Sequence, residues 1–247
     1  MNNTILIAAL FITFTTTAQQ KWGVSLGLSN QGQVDQELQE FYNLKNVFSP
    51  DPMTENKQFF MKYNLGAMYQ LKVNSIIRFR FGMGQRKKEY DYKDQFHQIT
   101  YNEDQKLFEM AFSYGVTQQL GRFKLSGGVE LPLYLVGKYS LNETTVKLSD
   151  NTNAQSIKWD YTIDGGYILG LNSFLRGDYV FGKCFTFFTE LNFGVLRSKF
   201  GNNISGHSVT YFVDGSPIQE TYSETEKKQT KLFFSGIQAQ FGISVHF

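Results

Sequence analysis

The chain ends in the stretch FGISVHF, from Phe241 to Phe247, in which apolar and polar side chains alternate up to the final aromatic ring. Alternation with a period of two is typical of a β-strand with one apolar and one polar face. Read backwards, the same alternation predicts that Phe233 and Ser235 share the face of Ile237. A strand of this kind suits a wall between lipid and a polar lumen.

Seven earlier stretches repeat the alternation, and long and short connections follow one another in strict order. The predicted strands cover 21–28, 59–71, 77–84, 108–117, 123–135, 166–176, 185–195 and 233–247. Long polar connections are predicted at 31–57, 86–105, 139–162 and 198–229, and short turns at 72–75, 119–121 and 180–183. The pattern predicts an all-β, eight-stranded antiparallel transmembrane β-barrel with short periplasmic turns and long extracellular loops, closed by pairing of its first and last strands.

Composition agrees with a β-barrel and excludes several other classes. Of the 247 residues, 16% are aromatic, mostly Phe and Tyr, which suit strands and membrane interfaces. The net charge of +2 and the single dense basic run at Arg86–Lys88, followed by acidic residues, exclude a nucleic-acid partner. Cys184 is the only cysteine, so neither an intrachain disulfide nor a thiolate metal cluster can form. We expect no metal and no cofactor.

The N-terminal segment has the features of a signal peptide. An apolar run from Ile5 to Phe14 is too short to span a bilayer as a helix, and small residues precede a cut between Ala18 and Gln19. We therefore predict a signal peptide at 1–18 and an outer-membrane β-barrel domain at 19–247. The first four residues carry no Lys or Arg, which leaves open a first strand or a buried segment here.

The face opposite the apolar one carries charges of both signs among many glycines. A soluble barrel would turn this face to water, whereas a membrane barrel would turn it inward. The signal-like segment, the terminal Phe247 and the order of connections favour the membrane barrel. The predicted lumen charge cluster, with a structural role, consists of Arg78, Arg80, Glu109, Lys124, Glu130, Arg176 and Glu190.

Three stretches carry a resemblance to a known group: WGVSLGL at Trp22–Leu28, ELNFG at Glu190–Gly194, and the terminal Phe241–Phe247. The chain resembles small bacterial outer-membrane barrels of the OmpA/OmpX type, particularly the barrel-only, PorT-like proteins common in Bacteroidetes. This resemblance implies location in the cell outer membrane, contact with its lipid, and a role for Phe247 in the signal read by the barrel-assembly machinery. Fold transfers between such proteins more readily than function does.

An eight-stranded barrel is just wide enough to be filled by its own side chains, so we expect a plugged lumen and a non-enzymatic structural or interaction protein. A narrow ion or small-solute channel along the lumen charges is the first alternative. The second is a lipid-modifying enzyme, for which His97, His207 and His246 are the histidines to consider. Their spacing shows no nucleophile, base and orienting group, so no catalytic residue is predicted.

The long connections carry the remaining expectation about function. The acidic stretches 51–55 and 102–104 lack the spacing of a calcium loop. Aromatic residues are frequent in these connections and either bind a protein or glycan partner or extend the strands above the bilayer. They are Phe41, Tyr42, Phe48, Tyr90, Tyr92, Phe96, Tyr211 and Phe212.

Overall fold

The part of the protein that the structure describes consists almost entirely of antiparallel strands. The structure, a computed structural model, describes residues 21–30, 34, 38, 61–72, 74–93, 97–147, 154–201, 203–212, 216–225 and 230–247. The strands are β1 (Trp22–Ser29), β2 (Lys62–Lys72), β3 (Ser75–Lys93), β4 (His97–Leu120), β5 (Phe123–Lys147), β6 (Ala154–Ile163), β7 (Gly166–Phe181), β8 (Phe185–Phe200), β9 (Asn203–Phe212), β10 (Pro217–Thr225), β11 (Thr230–Phe234) and β12 (Gln238–His246). Within the described part of the chain, no helix has the length and apolar character to cross a membrane.

Eight of these strands close into a ring in the order β1-β2-β3-β4-β5-β7-β8-β12. The ring is sealed by β1 and β12, as predicted, and Trp22 and Phe247 exchange backbone hydrogen bonds of 2.9 and 3.1 Å. Starting at Leu26 and following the paired residues around the ring leads to Phe187 of β8 in one direction and to Arg197 of β8 in the other. These two end points are ten residues apart, which is the stagger of the ring. Such a stagger tilts the strands against the barrel axis. The predicted eight-stranded barrel is confirmed.

The other four strands prolong the barrel strands beyond the ring. β6 leads into β7 and pairs with β5 and β9, and β9 continues β8 in the same direction. On the far side, β10, β11 and β12 lie one below the other in the last column. β10 pairs with β9, β11 pairs with the upper part of β8, and β12 pairs with the lower part of β8. The twelve strands therefore form eight columns, each of which is a ring strand together with any strands that prolong it. Six of the eight columns rise above the ring and form the extracellular wall. Its parts are 85–93, 97–105, 139–147, β6, β9 and β10.

This wall corrects the prediction of long loops at 86–105, 139–162 and 198–229. β3 and β4 stay paired out to Lys93 and Gln98, and β5 pairs with β6 from Tyr139 onward. These segments are polar because both of their faces lie outside the membrane, and polarity was what made them resemble loops. Polar strands and polar loops have similar compositions. The connection at 31–57 and the signal peptide at 1–18 lie outside the described residues, apart from Val34 and Leu38.

The two faces of the ring differ as the alternation predicts. Phe81 is 49% exposed on the outside, whereas its neighbour Arg80 is 7% exposed and points into the lumen. An apolar belt around a polar interior is the arrangement of a transmembrane β-barrel. Large apolar side chains on the outside include Leu26, Tyr63, Leu65, Phe79, Phe112, Leu131, Leu171, Leu191 and Phe241.

Aromatic rings mark the end of the belt where the short turns lie. Trp22 packs against Tyr69 at 4.5 Å, and Phe123 packs against Tyr179 at 5.1 Å between ring centroids. Aromatic side chains of this kind settle at a membrane interface. The nearby turns use Gly121 and Gly182, both with positive φ, which glycine adopts without steric cost.

The last column is interrupted between β11 and β12, which corrects the predicted faces of Phe233 and Ser235. Gly236 has a φ of 63°, and Phe233 and Ser235 are buried whereas Ile237 is 68% exposed. Ser235 is held there because its Oγ accepts a hydrogen bond of 2.8 Å from the backbone of Gly194. The irregularity changes which residues point inward, so simple alternation holds only from Gln238 to the C-terminus.

Candidate functional site

The lumen contains a charge network of eight buried ionisable side chains, four of each sign. They come from six of the eight ring strands, β2, β3, β4, β5, β7 and β8, and each is at most 7% exposed. Charges buried in this way are stable only when they are paired and hydrogen-bonded. The network consists of Lys62, Arg78, Arg80, Arg176, Glu109, Glu130, Asp178 and Glu190.

Arg80 lies at the centre of the charge network. Its guanidinium donates to Glu109 at 2.8 Å, to Glu130 at 2.6 Å and to Glu190 at 3.1 Å. It also donates to the side-chain oxygen of Gln240 at 2.8 Å, which links β3 to β12 across the lumen. Arginine suits this position because it presents several donors in a rigid plane.

Glu190 joins the other two arginines to this centre. Arg78 forms an ion pair with Glu190 and lies 3.8 Å from the ring centroid of Phe174, a cation–π geometry. Arg176 lies 3.8 Å from Glu190 and donates to Asp178 at 2.8 Å. Glu190 therefore balances positive charge from two strands, β3 and β7.

Lys62 completes the network at its extracellular end. Its ammonium forms an ion pair with Glu109 and lies 5.5 Å from the ring centroid of Tyr134. Gly82 makes room for this pair, since a Cβ there would lie 2.7 Å from the Lys62 side chain and 3.1 Å from Glu109. The charged residues and the glycine between them are therefore parts of one packing arrangement.

Six of the seven predicted members of the lumen charge cluster meet in the network. Lys124 does not: it is only partly buried and lies opposite Asp178 in the register, nearer the periplasmic turns. Two members of the network, Lys62 and Asp178, are absent from the predicted cluster, although Asp178 lies two residues from Arg176 and so shares its face. Which charges pair was beyond prediction, because the partners come from strands far apart in the sequence.

A small cavity lies beside the charge network. The cavity beside it, bordered by Ser25, Gly66, Arg78 and Gln240, has a volume of about 20 Å³. A space of this size holds about one water molecule. At this level the lumen is packed with side chains.

An apolar layer lies above the charge network, toward the extracellular wall. Val34 and Leu38 are helical, four residues apart, and 0% and 1% exposed, although they belong to the connection between β1 and β2. They pack with side chains that point inward from the barrel strands. The other members of the apolar layer are Leu107, Tyr134, Val136, Tyr139, Leu141, Ile163, Ile168, Leu196, Phe200 and Phe233.

The three histidines lie in different parts of the molecule. His97 begins β4 and His207 lies in β9, which corrects their predicted place in loops, and His246 ends β12. In the register, His207 lies opposite Asp160 and Thr221 on the wall, whereas His246 lies opposite Gly23 at the periplasmic end. Among the described residues no group of three or more His, Cys, Asp or Glu is placed to hold a metal ion.

The described aromatic residues of the predicted loops belong to strands. Tyr90 and Tyr92 lie in β3, and Tyr211 and Phe212 lie in β9. On the wall, the Lys158 ammonium lies 5.7 Å from the ring centroid of Tyr211. The other predicted aromatics, Phe41, Tyr42, Phe48 and Phe96, and the acidic stretch 51–55, lie outside the described residues.

A partly buried carboxyl group lies on the wall at Glu143. Burial raises the pKa of this carboxyl, and a hydrogen bond of 3.2 Å from the Thr145 hydroxyl opposes part of the shift. The acid is therefore easier to protonate than one in water.

Comparison with known proteins finds similar folds only among solved structures, since no protein-family model and no curated protein matches the sequence. A major outer membrane protein from Thermus thermophilus is 11% identical with a TM-score of 0.42, and covers 92% of this chain and 98% of its own. Ail, the attachment invasion locus protein of Yersinia pestis, is 8% identical with a TM-score of 0.35, covering 92% and 97%. LpxR from Salmonella typhimurium is 8% identical with a TM-score of 0.29, covering 91% and 100%.

Proposed function

We propose that this protein is a non-enzymatic, non-conducting barrel of the bacterial outer membrane that acts as a structural or interaction scaffold through its extracellular wall. In this proposal the N-terminal segment directs export, the barrel-assembly machinery inserts the chain, and Phe247 belongs to the signal that this machinery reads. The partner at the wall is a protein or a glycan. The observation that carries the proposal is a packed lumen beneath a rigid, exposed sheet.

The packed lumen supports a scaffold over a pore. Four positive and four negative side chains compensate one another in the charge network, and the apolar layer above it contains Val34 and Leu38. A permeating ion would have to displace buried charges that are already paired, which is costly. The side chains thus fill the barrel much as they fill a protein core.

The extracellular wall supports an interaction role. β4 and β5 reach 24 and 25 residues, well beyond the roughly ten residues that a tilted strand needs to cross a membrane. Paired strands hold the outer surface in one shape, so a partner binds without a large loss of chain entropy.

Two measurements test the proposal. Planar bilayers containing the purified protein should show no unitary conductance, and reproducible single-channel steps would contradict the closed lumen. For the wall, photo-crosslinking residues at Lys158 and Gln219 in living cells should capture a defined extracellular partner. Positions on the lipid-facing belt, such as Phe81, serve as controls and should capture only lipid or assembly factors.

A narrow ion path is the second candidate, because the charge network forms a chain of ionisable groups through the membrane-level lumen from Lys62 to Asp178. If this chain conducts, Arg80→Gln should change the ion selectivity of the conductance. The same recordings decide between the two candidates. A silent wild-type protein favours the scaffold.

A further inference from the structure

The seam that closes the ring, between β1 and β12, carries similar apolar side chains along its lipid side. Leu26 of β1 and Phe241 and Ile243 of β12 are all exposed there. Because side chains alternate along a strand, sliding β1 by two residues would keep its apolar side chains toward lipid. The lipid side therefore does not distinguish the observed register, in which Leu26 lies opposite Ile243, from one shifted by two residues.

On the lumen side, the seam lies beneath two larger side chains, Phe188 and Gln240, which we call the covering side chains. Gly27 of β1 lies opposite Gly242 of β12, and Gly242 lies opposite Phe188 of β8. A Cβ at Gly27 would lie 3.1 Å from the Phe188 ring and 2.9 Å from the Gln240 amide nitrogen. A Cβ at Gly242 would lie 2.8 Å from the same ring. Glycine therefore fits at both places without displacing a covering side chain.

The charge network holds both covering side chains in place. The guanidinium carbon of Arg176 lies 3.8 Å from the ring centroid of Phe188, a cation–π contact. Arg80 donates to the side-chain oxygen of Gln240 at 2.8 Å. Both arginines are also paired with buried carboxylates of the network. A covering side chain therefore cannot move aside without loosening its contact with an arginine.

A shift of β1 by two residues would bring a serine to the place of Gly27. Ser25 and Ser29 flank Gly27 on the lumen face and are 7% and 4% exposed. Either serine would place its Cβ against the covering side chains. The shift would also separate Ser29 from Asn64, whose side-chain amide donates to the serine hydroxyl at 2.9 Å. The lumen face therefore disfavours a register that the lipid face would accept.

We propose that the charge network selects the register in which β1 closes the barrel, with Phe188 and Gln240 as positioning residues that accept only Gly27 beneath them. Arg176 and Arg80 orient the two covering side chains, so the network has a role beyond the balance of charge. The inference concerns closure of the ring. It is independent of what the wall binds.

Disulfide trapping on the lipid face reports the register. In a Cys184→Ser background, Leu26→Cys with Ile243→Cys joins residues that are opposite in the observed register, whereas Leu26→Cys with Phe241→Cys joins residues that become opposite after a shift by two. Diagonal neighbours lie about 7–8 Å apart, too far for a disulfide. The mature chain, 19–247, is folded from urea into phospholipid vesicles, and heat-modifiable migration identifies the folded protein. Without further changes, the first crosslink should form and the second should not.

The decisive variant moves the glycine by two residues along β1, as Ser25→Gly with Gly27→Ser. In the observed register the new serine lies beneath the covering side chains, whereas a shift by two residues puts the new glycine there. The ratio of shifted to unshifted crosslink should rise by about tenfold, because overpacking disfavours the observed register. Gly177→Ser is the matched control and should leave the ratio unchanged, since a Cβ at Gly177 meets only the Thr189 hydroxyl at 3.9 Å.

A second measurement covers the case in which the decisive variant does not fold. Urea unfolding gives the loss of stability caused by Gly27→Ser in three backgrounds. The loss should be smaller with Phe188→Ala, which removes the ring, and with Arg176→Gln plus Asp178→Asn, which removes the cation that holds the ring and its buried partner charge together. An unchanged loss in either background would overturn the inference, as would a decisive variant that folds with the crosslink ratio of the starting protein.

Discussion

The membrane-level ring and the extracellular wall share continuous strands, and the chemistry of the inner face changes within the ring toward the wall. Along β4, Glu109 belongs to the charge network, whereas Leu107, two residues nearer the wall, belongs to the apolar layer. Along β5, Glu130 belongs to the charge network, whereas Val136 belongs to the apolar layer. The inner face of one strand thus goes from ion pairs to an apolar core over a short stretch of chain.

Within the described part of the chain the two regions also differ in closure, and the surrounding solvent explains this. Within the bilayer no water is present to pair with a strand edge, so the ring must close on itself. Above the bilayer, water satisfies the backbone groups of a strand edge, and among the described residues β10 and the upper part of β3 each pair on one side. Closure of the ring therefore follows the membrane. Three variants test this difference.

The largest effect is expected in the charge network. Glu190→Gln should destabilise the protein by about 3–5 kcal/mol, because it leaves the buried Arg78 and Arg80 short of negative charge. Urea unfolding in phospholipid vesicles measures the change. Pairing Arg78→Met with Glu190→Met should recover most of the loss, since two compensating charges are removed together. Equal stability of Glu190→Gln and the wild type would contradict the network's structural role.

The second effect is expected in the apolar layer. Leu38→Ala should cost about 2–5 kcal/mol, because Leu38 is 1% exposed and its removal leaves a cavity. The control is Ile218→Ala on the wall, which is 52% exposed and should change stability by less than about 0.5 kcal/mol. The same vesicle unfolding measures both. A similar small effect for the two variants would show that the first connection adds nothing to the fold.

The smallest effect is expected at the junction of the two regions. Gly236→Ala should cost about 1–2 kcal/mol, because its φ of 63° is unfavourable for a residue with a Cβ. Gly177→Ala is the control, since a Cβ there meets only the Thr189 hydroxyl at 3.9 Å. Heat-modifiable migration on gels and urea unfolding report the difference. If both alanines behave alike, the positive φ does not matter for the last column.

Much of the membrane-level barrel could be predicted from the sequence. The alternation of apolar and polar residues located the ring strands and the short turns. The places of Arg78, Arg80 and Glu190 in this alternation assigned their side chains to the lumen. This succeeded because a membrane wall requires one apolar and one polar face along each strand, and a period of two records that requirement directly. The wall was predicted only as one of two readings of the aromatic residues in the connections, because its strands lack an apolar face against lipid and their polarity resembles that of loops.

The candidate site was predictable in membership but not in arrangement. The alternation of apolar and polar residues assigned seven charged side chains to the lumen face, and six of them belong to the charge network. It gave no sign that Lys124 lies apart from the others. The change of face at Gly236 and the burial of Val34 and Leu38 had no signal in the alternation. These features depend on contacts between residues far apart in the chain.

Sequence pattern alone specifies the number of membrane strands, their order and the face that each presents to lipid, because these follow from local periodicity and the need to hide apolar side chains from water. Which charges meet and where the described strands end above the membrane are settled only by the folded arrangement. Those outcomes depend on the stagger of the closed ring and on the path of the chain after Asn30, which bring distant residues together. The local alternation of apolar and polar residues contains no information about which distant residues meet.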